Sequence, residues 1–335
     1  MGVCSYIMNF NKRTSNFLIV YALILFVLLS SAINFMVDAN NIFGNNSIKY
    51  FNKYKYKRSQ AQVLFNATKN IDRFDTVIFG TSRSAIYGSN NESFKKLKII
   101  NLSDIIYGYP SRVYKFINNL DDQSTVKNIF IGLDLHTMTM PKSKKEDYRN
   151  YIFSLFPDFT YISSVIYKVL PNSLPLSFMT VKNNWNNKVP GSYMDHFGVR
   201  HYNADQHNYR TKVDYARKKF KYDEVQLKYL TRIEKLCKTK GITLHYFTFP
   251  YSADYYDLDY DKVEVDKFIS IMLNYIGGVY NFSYINKLTK DKGNYFNRKH
   301  HNHNFDKYLY DALILNKKHG EIDGETVFEY IQNEK

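Results

Sequence analysis

The chain has 335 residues, enough to bury a full core in one large domain or two small ones. Lys and Arg number 46 against 31 Asp and Glu, a formal charge of +15; 31 Tyr and 25 Phe exclude a disordered or collagen-like chain. Two cysteines, Cys4 and Cys237, exclude a disulfide framework and a cysteine-based zinc module. The basic excess is spread along the sequence together with abundant Asn, Ile, Tyr and Phe. No zinc-finger spacing, RNP motif or Gly-Lys-[Ser/Thr] phosphate loop accompanies it, so nucleic acid is not an expected partner.

Phe17 to Met36 reads FLIVYALILFVLLSSAINFM, with no charged residue. A helix of that length crosses a hydrocarbon core of about 30 Å and satisfies its own backbone. An uncleaved anchor is expected. A cleaved signal peptide is the competing reading, with Ser30-Ser31-Ala32 only a loose cleavage match. Lys12 and Arg13 before the span place the N-terminus in the cytoplasm and the domain outside. Lys49, Lys53, Lys55, Lys57 and Arg58 beyond the span weaken that asymmetry and keep a cytoplasm-facing domain as the alternative.

The expected organisation is a short tail (1–16), the anchor (17–36), a connector (37–70), an α/β domain (71–318) and a C-terminal tail (319–335). A short helix is expected over 59–70. Asp75–Phe79 reads as a buried strand, Leu97–Leu102 as a second strand and Asn128–Asp134 as a third, apolar on both faces, with a helix over Ser111–Leu120. Pro157, Pro171, Pro175 and Pro190 break up 141–210, which is expected to be an insertion or lid over one sheet edge; it holds the only tryptophan, Trp185. Order returns with a helix over Asp223–Lys240, a strand over Ile242–Phe249, a helix over Lys262–Tyr275, a strand over Val279–Phe282 and a helix over Phe305–Asn316. Strands alternating with helices predict a parallel sheet covered on both faces, with ligands beyond the strands' carboxyl ends.

The first strand delivers Gly80-Thr81-Ser82-Arg83-Ser84 to that edge. A glycine there permits a sharp turn, and a serine at the strand mouth suits either a nucleophile or a helix N-cap. His300, His301 and His303 cluster after the last strand, where one imidazole can serve as base. A solvated basic loop and a metal shared by His301 and His303 compete with that reading. No carboxylate is interleaved with them, so neither metal nor cofactor is expected.

Several blocks in order resemble the SGNH (GDSL-like) hydrolases, specifically the membrane-anchored type found with bacterial surface-polysaccharide genes. They are Gly80-Thr81-Ser82-Arg83, Asn101-Leu102-Ser103 with Gly108-Tyr109-Pro110, Gly132-Leu133-Asp134, Phe249-Pro250-Tyr251, Val279-Tyr280-Asn281-Phe282-Ser283 and Asn297-Arg298-Lys299-His300. The match spans about 71–315. It implies a three-layer α/β sandwich of flavodoxin-like type, with Ser82 as nucleophile, His300 as base and the N–H groups of Ser82 and Gly108 holding an oxyanion. It also implies ester hydrolysis or O-acetyl transfer on a cell-surface polysaccharide. Arg83, Asp134, Arg298 and His301 are candidate substrate contacts, and Tyr193, Phe197 and Tyr202 candidate sugar-stacking residues. Two positions depart from the family: Asn297 and Asn281 stand where it has Asp. Asn297 accepts a hydrogen bond from imidazole without charge to support an imidazolium. Asp306 or Asp291 is the conceivable replacement. Loss of the carboxylate leaves open a non-catalytic polysaccharide-binding or assembly component.

Overall fold

The computed structural model describes all residues except 1, 40–47, 54–62, 64–66, 68, 89–90, 107, 140–161, 163–165, 167, 188–191, 195–198, 203–221, 259–261, 298–299 and 334–335, and omits the side chains of 2–13, 104, 136, 139, 192–194, 201–202 and 257–258. The chain divides into two units: residues 1–59 with 158–190, and 60–157 with 191–335.

The first unit is built on helix α1 (Gly2–Val37). Its segment Thr14–Val37 is long and apolar enough to cross a membrane, and its apolar side chains are exposed. Asn52 closes the helix, its amide donating to the orphan carbonyls of Met36 (3.2 Å) and Val37 (3.3 Å).

The second unit carries the sheet. β1 (Thr76–Phe79), β2 (Ile99–Asn101), β3 (Asn128–Gly132), β6 (Thr243–Phe247) and β7 (Gly278–Asn281) are parallel, in the order β2-β1-β3-β6-β7. The chain runs outward in both directions from β1 and β3, which makes the gap between their carboxyl ends the switch point. β1 is buried at every position because helices cover both faces, which accounts for its uninterrupted Thr-Val-Ile-Phe run. Two short strands, β4 (Ser192–Met194) and β5 (Arg200–Tyr202), pair separately, as do β8 (Tyr295–Asn297) and β9 (His300–His301).

The helices follow from their ends. α2 (Ser103–Ile106) is one turn, and α3 (Pro110–Asn118) starts on a proline whose missing N–H costs nothing there. α4 (Leu135–Thr139) follows β3, and α5 (Leu174–Trp185) belongs to the first unit. α6 (Glu224–Thr239) is capped by Asp223, which accepts from the N–H groups of Val225 and Gln226. It ends before Gly241, whose φ of +67° is a left-handed stop. Gln226 accepts from the Ser111 N–H at 3.1 Å and joins α6 to the start of α3. α7 (Ala253–Leu258), α8 (Lys262–Leu273), α9 (Lys287–Lys290) and α10 (Asp306–Leu313) complete the set.

Two expectations change. Residues 319–335, expected as a tail, carry β10 (His319–Ile322) and β11 (Glu325–Gln332), and β11 pairs antiparallel with β7. Asp323 and Gly324 both have positive φ, 52° and 79°, the pattern of a two-residue type I′ turn. Val327 and Phe328 enter the core. The region expected as one insertion over the sheet edge divides instead: Pro171–Ser173 and α5 pack with α1, while β5 stays with the sheet unit. The helix expected over 59–70 lies largely outside the described residues.

Burial also sets an acid sensitivity. Burial, reinforced by the charge of Lys318, pushes His245 down to about 4; burial pushes His301 to about 4 and, with nearby cations, His300 to about 3. The unfolded chain therefore takes up protons near 6.5 that the folded chain refuses. Stability is full above 6.5 and falls as pH drops toward 4. His303, held up by Asp306, opposes this in sign. Thermal unfolding at pH 7 and pH 4 should show a lower midpoint in acid. His245→Phe should flatten that slope, because a tenfold difference in proton affinity between the unfolded and folded chain is worth about 1.4 kcal/mol.

Candidate active site

β1 ends at Phe79, and the chain turns back through Gly80, Thr81 and Ser82. Gly80 has φ +153°, and a side chain there would strike the Ser84 hydroxyl. The turn is braced from three directions. Ser84 Oγ donates its one proton to Thr81 O (3.1 Å) and accepts from the Ser103 hydroxyl (2.9 Å). Asn101, fully buried at the end of β2, donates from Nδ2 to the carbonyls of Ser84 (2.7 Å) and Tyr87 (2.8 Å), while its Oδ1 accepts from the Ser103 N–H (3.0 Å). Gly108, at φ +58°, lies so close that a Cβ on it would meet Gly80 Cα at 2.8 Å. Gly108→Ala combines a left-handed backbone with that clash. It is expected to cost about 1–3 kcal/mol in denaturant unfolding and to displace the Ser82 loop.

Arg83 and Asp134 lie beneath the turn. They form a buried ion pair, and Thr81 Oγ1 donates to the same Asp134 oxygen at 2.8 Å. Arg83 Nη2 also donates to the Tyr255 hydroxyl (3.2 Å), and its guanidinium lies 5.1 Å from the Tyr251 ring centre. Asp134 is wholly buried and Arg83 nearly so. Both are expected from the sequence to be substrate contacts. Their burial, their mutual pairing and the Thr81 bond make them a support of the loop that carries Ser82.

The β8–β9 hairpin supplies the histidines. Asn297 and His300 face each other across it. Ser82 Oγ is 2.7 Å from His300 Nε2, and His300 Nδ1 is 3.0 Å from Asn297 Oδ1. The His300 backbone N–H also donates to that Oδ1, at 3.2 Å. This second donor fixes the amide orientation, because an NH2 group in its place would face an N–H. Nδ1 then carries the proton, and Nε2 presents its lone pair to the serine hydroxyl. Burial is the chief cause holding His300 low, followed by the charges of Arg83, Arg200 and His301, with Asp134 opposing. At neutral pH the imidazole is uncharged, and its surroundings make it a weak base.

The remaining named residues separate. His301, expected as a substrate contact, is buried, and both ring nitrogens are engaged: Nδ1 with Asn302 O (3.1 Å) and Nε2 with the Tyr87 hydroxyl (2.8 Å). It ties the hairpin to the serine loop. Asp306 meets His303 Nδ1 (2.9 Å) and Asn91 Nδ2 (2.7 Å), and Asp291 accepts from the Gly293 N–H; neither replaces Asn297. Asn281 accepts from Thr248 Oγ1 (3.0 Å) and from the N–H and hydroxyl of Ser283, closing the end of β7. Arg298 lies outside the described residues, as do Phe197 and the side chains of Tyr193 and Tyr202. Cys237 is buried in the core, its thiol pushed up to about 12 by burial. Among the described residues no group of three or more His, Cys, Asp or Glu is placed to hold a metal ion. Tyr87 and Arg200 carry no local sequence signal for their parts here, since Tyr87 acts on His301 and Arg200 on His300, far away in the chain.

Searches of protein-family models, of curated proteins and of solved structures find no match to this chain.

Proposed function

We propose that the chain is a membrane-anchored, SGNH-like serine acyl-ester hydrolase or O-acyltransferase acting on cell-surface polysaccharide. The observation that carries this reading is the Ser82–His300–Asn297 relay at the carboxyl edge of a parallel sheet. In the proposed step His300 Nε2 takes the Ser82 proton as Oγ bonds to the acyl carbon. The N–H groups of Ser82 and Gly108 hold the oxyanion. The ester C–O bond then breaks, the alcohol leaves with the proton from His300, and water or a sugar hydroxyl resolves the acyl-enzyme. The choice of sugar polymer rests on the resemblance of the sequence blocks. The outward-facing placement of the domain rests on Lys12 and Arg13 before the span.

One observation favours a second reading, an SGNH-like binding or assembly component. The third member of the relay is a neutral amide, and His300 lies among cations that penalise an imidazolium. Acetyl-ester hydrolysis by the full-length chain in detergent separates the two. The first reading expects turnover that Ser82→Ala abolishes while folding stays intact; no turnover above that of Ser82→Ala favours the second.

A further inference from the structure

Helix α5 is polar on its inside and apolar on its outside. Its buried residues are Ser177, Thr180 and Asn184, spaced to form one stripe. Its exposed residues include Phe178, 60% exposed, Met179 and Trp185, 73% exposed. A helix packed in water shows the reverse arrangement.

The helix it packs against, α1, has the same inversion. Ser30 and Asn34 are buried, while the apolar residues from Phe17 to Leu29 are exposed. The seam is polar and internally satisfied. Ser177 Oγ donates to Asn34 Oδ1 (2.7 Å), and Asn34 Nδ2 donates to the carbonyls of Val169 (3.0 Å) and Leu170 (2.7 Å). Ser30 donates to Phe26 O (2.6 Å), Thr180 to Leu176 O (2.8 Å) and Asn184 to Thr180 O (2.8 Å). Small polar residues between helices, and backbone groups satisfied within the protein, characterise helix contacts in lipid. A 12-residue helix is about 18 Å long, too short to cross a bilayer. Lys182 on its outer face has the reach to place its ammonium at the headgroups.

We infer that α5 is a second membrane element, lying in the bilayer interface beside the end of α1 with Phe178, Met179 and Trp185 in lipid. This rests on the reading of α1 as a membrane anchor. Continuity with the lipid-facing surface of α1 selects lipid as the occupant of this face over a second protein.

Trp185 is the only tryptophan, so the unmodified full-length chain reports on the question directly. The chain is reconstituted into phosphatidylcholine vesicles with and without brominated acyl chains, and washed with alkaline carbonate. The expected result is retained protein with blue-shifted Trp185 emission. Bromines high on the acyl chain should quench it more than bromines near the chain end, and aqueous acrylamide should quench it weakly. Retained protein whose Trp185 emission is red-shifted, open to acrylamide and untouched by bromine overturns the proposal and leaves the anchor standing. The same holds if Trp185 is shielded from both quenchers, as a protein partner would shield it. Protein released by carbonate overturns the anchor and the proposal together.

Discussion

Asn297→Asp should raise acyl-ester turnover, by up to about 10⁴-fold if this relay behaves as a serine–histidine–aspartate triad does when its carboxylate is exchanged for an amide. The geometry for the gain exists already. Asn297 Oδ1 accepts from both the ring Nδ1–H and the backbone N–H of His300, and a carboxylate oxygen in that position accepts the same two bonds. What changes is charge. A carboxylate supports the imidazolium that forms as Ser82 loses its proton, and it raises the His300 pKa from about 3. The acid limb of the kcat/KM profile should therefore shift upward in pH in the variant, while the wild type holds its rate into more acidic solution. A rate that is unchanged or lower, with the acid limb unmoved, would show that the amide is not what limits the relay.

Arg83→Met should cost about 3–5 kcal/mol of stability, because it leaves Asp134 buried without its cation. Denaturant unfolding of the sheet unit measures it. The loss should not be the ion pair's net worth, and the double variant Arg83→Met with Asp134→Leu tests that. Replacing both partners removes the stranded charge, so the double variant should recover most of the stability. It should not recover activity, because Thr81 loses its acceptor on Asp134 and the Ser82 turn loses its floor. Additive losses in the double variant would mean the two residues act independently.

How much of this was legible in the sequence depends on how local each signal is. β1, β2 and β3 announce themselves because strands buried on both faces must be apolar at nearly every position. α6 is marked at both ends, by Asp223 and Gly241. The serine loop and the histidine hairpin could be placed at one sheet edge from strand order alone. The β10–β11 hairpin carries a strong local mark, Asp323-Gly324 between alternating residues, yet position after the last helix suggests a tail; only its pairing with β7 makes it part of the sheet. The roles of Arg83 and Asp134 were not legible. A charged residue beside a reactive serine reads as a substrate contact until burial shows that its charge is already matched 51 residues away. The inside-out face of α5 was equally hidden, since Ser177, Thr180 and Asn184 become a seam only when Asn34 is set against them.

The central claim is that Ser82 is a nucleophile activated by His300. Fluorophosphonate labelling of the membrane-bound full-length chain, followed by peptide mapping, tests it most directly. A single adduct on Ser82, absent in Ser82→Ala and strongly reduced in His300→Ala, is the predicted result. A wild-type chain that takes no label, or that labels equally well without His300, contradicts the account.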